Sequence, residues 1–508
     1  MTDNLYGLFR GRFRSHLSRP FLETQNGRLD TYAHLENTSG RLAHRLNRLG
    51  LRKGDRLVTQ VDKSPEAVFL YLACLRSGII YVPLNTAYQS AEVAYYLADS
   101  EPKAVVCRPQ VFGMMAELAR TRGITHILTL NAAGLGSFTE GIESLDPEYP
   151  DVSVGARDLA ALLYTSGTTG RPKGAMMTHG HLWAKADTLA RWWGWQSEDV
   201  LLHAMPIFHT HGLFLSTHCV LASGSGMIFL PRFDAEMVIR LLPRSTVFTG
   251  VPTMYARMLA SPALDAEACR NMRLFISGSA PLSAETFHAF RERTGRTILE
   301  CWGMTETLTN ASNPLMGERR AGSVGLPVPG VELRTADDDG RPRPKGEAGV
   351  LEVRPAQMFA GYWRRPEETR AVFRPDGYFV TGDLGRIDED GFVTIVGRAK
   401  DMIISGGYNI YPKEVEAAID RIEGVTESAV IGLPHPDLGE GVIAVVERQP
   451  GREELTEGGI IHRLTEELAN FKVPKRVFLV DALPHNDIGK VQKHILREQY
   501  KDAFPSRL

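Results

Sequence analysis

At 508 residues, with 43% hydrophobic and 23% charged side chains, the chain has the composition of a folded α/β protein and the length of roughly two to four domains, which excludes a disordered or fibrous polymer. Lys and Arg total 58 against 60 Asp and Glu, a net charge of -2, so no global basic field points to nucleic acid and no basic block to a membrane surface. The five cysteines, Cys74, Cys107, Cys219, Cys269 and Cys301, form no C-x-x-C pair, and no apolar run reaches the length of about 18 that a membrane span needs; a reduced, cytoplasmic setting without zinc or disulfides is expected.

The first clear pattern is an alternation of apolar strands and amphipathic helices from Arg56 to Cys107. "RLVTQV" reads as a strand, and "SPEAVFLYLACLRSG" as a helix with Ser64 as N-cap, Pro65 at its first position and Gly78 past its end. "IIYVPL" is a second strand, Ser90 reads as the next N-cap, and "KAVVC" is a third strand. Such alternation predicts a parallel sheet with crossover helices. The pattern resumes in "TVFTGVP", "LFISGSAPLSAETFHAFRERTG" and "TILECWGMTE", each with a polar or glycine-rich loop where a strand ends. After about residue 325, "DDDG", "KGEAG", "RPDG" and "DEDG" predict short hairpins. A boundary near Lys400 then leaves a C-terminal stretch long enough for a small α+β domain.

Between the two strand–helix regions lies "LLYTSGTTGRPKGAMM", residues 162–177. Its glycines let a backbone approach a polyanion, its hydroxyls and bare N–H groups donate to phosphate oxygens, and Lys173 adds a point charge. The spacing is not that of the ordinary nucleotide-hydrolase P-loop.

This loop and six further segments, "GSAPL", "CWGMTET", "GYFVTGDLG", "GRAKD", "GGYNIYPKEVE" and "GKVQK", occur in one order along nearly the whole chain. The ordered set resembles the acyl-adenylate-forming family of acyl-CoA synthetases, beetle luciferases and peptide-synthetase adenylation domains. The resemblance implies a large N-terminal α/β domain of parallel and mixed sheets with a smaller β subdomain (1–399), a hinge at Lys400, and a small mobile α+β domain (401–508). It also implies ATP and CoA as co-substrates with Mg²⁺. On the matching positions, Thr165, Ser166, Gly167, Thr168, Thr169 and Lys173 would hold the ATP phosphates, and Gly278, Ser279, Ala280, Gly303 and Met304 would border the nucleotide. Trp302, where the family more often has tyrosine, would stack on adenine, keeping a π face and losing a hydroxyl. Asp383 and Arg398 would bind ribose, Thr305 the α-phosphate, and Glu306 the Mg²⁺. Lys490 would stabilise the adenylation transition state, and Gly406 and Gly407 would line the tunnel for the incoming thiol.

The acid is expected near "PIFHTHG", "VPTMYARML", "GSAPL" and "WGMTET", with His209, Arg257 and Ser279 as candidate contacts. Thr253 and Arg257 share a helix face at i, i+4. A buried arginine there would be costly without an anion, which favours a dicarboxylate, and an Arg–carboxylate fork contributes roughly 1.5–3 kcal/mol. The motif set looks most like the malonyl-CoA synthetase branch, with malonate as substrate and methylmalonate beside it. A short- or medium-chain monocarboxylate ligase, an enzyme loading a carrier protein in trans, and a nucleotide-binding regulator are the competing readings. His209 and His211 could ligate a metal from a strand, but the sequence offers no third ligand cluster.

Overall fold

A computed structural model describes every residue except 1–2, 167–170, 281, 283, 338, 399–402, 411, 450, 453, 485–490 and 505–508. The chain is mixed α/β and divides into two compact units. The first holds residues 1–86, 97–164 and 174–397, and the second 87–96, 165–173 and 398–508.

The helix predicted after Ser64 spans Pro65–Ser77: Ser64 accepts the Ala67 N–H, and Gly78 closes it in a left-handed conformation. It is buried all round, so its apolar character has no solvent stripe. The next helix takes in Ser90 (Ser90–Ser100), one residue earlier than expected, and the Glu92 carboxylate accepts the Gln89 N–H at 3.0 Å. The strand Arg56–Gln60 pairs in parallel with both Ile80–Pro83 and Ala104–Cys107, inside a six-stranded sheet.

A nine-stranded sheet positions the site. Its strands are β1 (Pro20–Thr24), β2 (Leu29–Thr31), β3 (Val200–His203), β4 (Gly226–Phe229), β5 (Val247–Gly250), β6 (Leu274–Ser277), β7 (Ile298–Met304), β8 (Leu308–Ser312) and β9 (Leu326–Pro327). They lie in the order β9-β8-β7-β6-β5-β3-β4-β1-β2, and the run from β7 through β1 is parallel. From β3 the chain winds to β4 and then crosses back to β5 on the other side of β3. That reversal opens a crevice at the carboxyl ends of β3 and β5, the place where open α/β sheets bind ligands. One layer against this sheet includes helix α1 (His179–Trp192), and the other includes α2 (Pro252–Leu259) and α3 (Ala284–Thr294). A four-stranded sheet, 331–336, 349–355, 379–387 and 393–398, forms the β subdomain.

The second unit contains a five-stranded sheet with helices Pro412–Ile419, Glu457–Glu467 and Lys493–Gln499. Within it the buried Lys472 ammonium donates to Glu92 and to Glu414, each at 2.7 Å. Burial alone would lower its pKa, and the two carboxylates more than offset that and raise it. All five cysteines are free and buried.

Candidate active site

The carboxyl ends of β3, β5, β6 and β7 deliver the segments singled out in the sequence. After β3 the chain enters a π-helical turn, His211–Thr217, whose carbonyls at His211 and Gly212 accept from the Ser216 and Thr217 hydroxyls at 2.8 and 2.9 Å. Such turns are frequent at functional sites. After β6, Ser279 adopts a left-handed φ of 68°, sparsely populated for a residue with a side chain. Its hydroxyl lies 3.1 Å from Nδ1 of His211. Burial pushes His209 down to about 4; burial and then His209 push His211 down to about 3, so both rings are neutral at physiological pH. The sequence pointed to His209 for the acid; it is His211 that the structure joins to Ser279, and the spacing in "FHTHG" could not choose between them.

Trp302, Gly303 and Met304 end β7, and a tight turn through Thr305–Thr307 returns as β8. A side chain at Gly303 would place its Cβ 1.9 Å from the Leu308 carbonyl, so this turn closes only on glycine. The pairing runs Trp302 to Ala311 and then Gly303 to Thr309, which leaves Asn310 as a bulge. Trp302 Nε1 donates to Asp383 Oδ2 at 2.8 Å, and both residues are buried. The indole therefore brings a donor of its own to the acid expected to bind ribose. Glu306 is buried; its Oε1 accepts the Tyr362 hydroxyl at 2.8 Å, and its carbonyl accepts the Phe359 N–H at 3.0 Å. Tyr362 was not found from sequence, since no motif joins "FAGYW" to "MTET". Gly278 lies against Cys301, whose sulfur would be 2.9 Å from a Cβ at that position, and Ala280 is half-buried two residues on.

On the same strand Glu300 is buried. Its Oε1 accepts the Leu282 N–H at 2.9 Å and its Oε2 has no hydrogen-bond partner among the described residues. Burial raises it to about 7.

Arg257 departs from expectation. On α2 the core face is taken by Tyr255 and Met258, and Arg257 is exposed, with no ion pair among the described residues. An exposed guanidinium keeps its hydration, so the cost of burial invoked from sequence does not apply to it in this structure.

In the second unit, Thr165 and Ser166 end the strand Leu159–Ser166, and Lys173 is buried near the start of Pro172–Thr178. Arg398 closes Val393–Arg398. Gly406 and Gly407, at φ 58° and 82°, form the two-residue turn between paired Ser405 and Tyr408, a geometry that favours glycine at both positions. Gly167, Thr168, Thr169, Lys400 and Lys490 lie outside the described residues.

No three His, Cys, Asp or Glu side chains among the described residues come together as a metal cage. A single hard carboxylate at Glu306 fits Mg²⁺, which is commonly held by one or two carboxylates together with substrate phosphates.

The sequence pattern of a family described as AMP-binding enzyme matches residues 9–363, and that of the AMP-binding enzyme C-terminal domain matches 414–490. A feruloyl-CoA synthase from an Amycolatopsis species is 36% identical over 478 residues, covering 92% of this chain and 94% of its own. The ATP-bound structure of MatB from Rhodopseudomonas palustris is 48% identical, with a TM-score of 0.79, covering 99% of this chain and all of that one (100%). A malonyl-CoA ligase with methylmalonyl-CoA and AMP bound is 37% identical, with a TM-score of 0.80, covering 92% of this chain and 97% of that one.

Proposed function

Because the chain belongs to the AMP-binding enzyme family and is a carboxylate–CoA ligase of the adenylate-forming kind, we propose that its acid is malonate, with methylmalonate as a second substrate. The products are malonyl-CoA, AMP and pyrophosphate. The observation that carries this reading is the likeness over nearly the whole chain to a malonyl-CoA ligase, and Arg257, exposed on the helix that leaves β5, is the residue we assign to the second carboxylate.

In the first step one carboxylate of the acid attacks the α-phosphorus of ATP and pyrophosphate leaves. Thr165, Ser166, Gly167, Thr168, Thr169 and Lys173 hold the phosphates, Thr305 donates to the α-phosphate, and Lys490 stabilises the charge that builds on the transferring and leaving oxygens. Glu306, oriented by Tyr362, would hold Mg²⁺, which when bound neutralises phosphate charge. Trp302 stacks on adenine and fixes Asp383, which with Arg398 takes the ribose. The neutral His211 orients Ser279 at the acyl end, with His209 beside it. In the second step the CoA thiol, guided past Gly406 and Gly407 after the small domain turns about Lys400, attacks the acyl-adenylate and AMP leaves.

The test is pyrophosphate release with ATP, Mg²⁺ and CoA across malonate, methylmalonate, succinate, acetate, butyrate and octanoate, for wild type and Arg257→Ala. Malonate should lead, and the variant should lose that lead while keeping its monocarboxylate rates. The likeness to a feruloyl-CoA synthase favours a monocarboxylate instead; a monocarboxylate leading in the wild type would establish that second reading.

A further inference from the structure

Helix α1 carries a lysine that the reaction above does not use. Lys185 is 5% exposed, and its ammonium donates to the Thr309 carbonyl at 2.7 Å. No carboxylate pairs with it among the described residues, and burial is the sole cause that lowers it, to about 8, so it keeps its charge at neutral pH. Among the described residues, only one of its three donors has a partner. Lys472 makes the contrast, being equally buried but held by two carboxylates. An uncompensated buried cation is costly, and an anion arriving from outside the chain would relieve it.

The neighbours of Lys185 are also short of partners. His181, one turn earlier on α1, is 1% exposed; its ring faces the Thr307 backbone, which favours its protonated form, and at least one ring nitrogen has no hydrogen-bond partner among the described residues. The Thr307 hydroxyl and both amide atoms of Asn310, on fully buried residues to either side of Thr309, lack partners among the described residues as well. Buried polar atoms are rarely left unpaired, and here they lie on residues near the Thr309 that Lys185 bonds and one turn from Lys185 on α1. Asn310 is the bulged residue, and Thr309 pairs in register with Gly303, so the cluster adjoins the strand pair whose turn carries Thr305 and Glu306. Water would satisfy donors and acceptors alike but would leave the charge uncompensated; a carboxylate supplies both acceptors and charge.

We propose that Lys185, with His181 and Asn310 beside it, forms a carboxylate-binding subsite of the acyl pocket that holds the remote carboxylate of the acid. This rests on the dicarboxylate reading above and deepens it: Arg257, exposed on the layer across the sheet, would draw the dianion toward the site, and Lys185 would hold its remote carboxylate once bound.

The experiment compares malonate with propionate, which replaces the remote carboxylate by a methyl group, as kcat/KM for pyrophosphate release in wild type, Lys185→Met and Lys185→Gln. Both variants should lower the malonate-to-propionate ratio about ten- to hundredfold, leaving propionate and the KM for ATP within about threefold. The melting temperature of ligand-free Lys185→Met should not fall, because an apolar chain replaces an unpaired charge; a merely structural lysine would lose stability with its bond to Thr309. If Lys185→Met does not fold, Lys185→Gln, which keeps a donor for that carbonyl, must give the same loss of ratio. A wild type that favours malonate with a ratio unchanged in the variants overturns the subsite alone and leaves the cluster to buried water. A wild type that favours propionate overturns the malonate reading and the subsite's ligand with it.

Discussion

Two groups of buried polar side chains meet at the β7–β8 hairpin and are treated in opposite ways. On one side the members partner each other: Trp302 with Asp383 and Tyr362 with Glu306. On the other, among the described residues, Lys185 has one backbone carbonyl, and His181, Thr307 and Asn310 leave side-chain atoms unpaired. A set whose members satisfy one another holds its shape before any ligand arrives, as would suit the nucleotide proposed to bind there, which is the same in every turnover. A set left incomplete is finished by its ligand, so it can discriminate between acids that differ by one charged group.

Substitutions can break this contrast, and their effects should differ in size and in kind. The largest lies outside both groups: Lys490→Ala should lower adenylation about a thousandfold by pyrophosphate exchange, while thioester formation from supplied malonyl-adenylate survives. Next, Arg257→Ala should cut kcat/KM for malonate roughly ten- to hundredfold and leave butyrate nearly unchanged, read as pyrophosphate release. On the paired side, Trp302→Phe keeps the ring and removes the N–H, so the KM for ATP should rise about tenfold with little change in kcat and none in the ranking of acids. If that variant reordered the acids, the division between the two groups would fail.

The smallest effect is on stability. Glu300 is raised to about 7, so the folded chain binds its proton more tightly than the unfolded chain does. The stability this lends below the ordinary carboxylate range is lost as pH rises through about 7. Glu300→Gln should therefore melt higher than wild type at pH 8, by on the order of 2 °C, with the gap closing by pH 5 in a thermal scan.

Much of the local structure could be read along the chain because its causes are local. Ser64, Pro65 and Gly78 mark one helix by capping chemistry alone, and "VPTMYARML" holds the helix expected in it, from Pro252. Ser90 misled because the Glu92 carboxylate takes the N–H nearby, so the helix starts earlier. The i, i+4 rule put Thr253 and Arg257 on one face without saying which face meets the core, and Tyr255 and Met258 claimed it. The Trp302–Asp383 bond joins positions 81 apart, beyond the reach of any spacing rule. Lys185 sits among charged and polar neighbours in "AKADTLAR", which reads as solvated surface, and only the packing of α1 buries it.

The cysteines carry one more consequence. An acyl-adenylate is a mixed anhydride that any thiolate can open, and Cys301 stands beside Gly278 at the edge of the site. Burial, and then Glu300, push its thiol up to about 12, and the other four cysteines are buried and raised as well. A protein that makes a reactive acyl group thus keeps its own sulfur protonated and out of reach, leaving the coenzyme as the one competent acceptor. A thiol-specific dye added to the working, folded enzyme should accordingly report the disappearance of free CoA with almost no background from the protein.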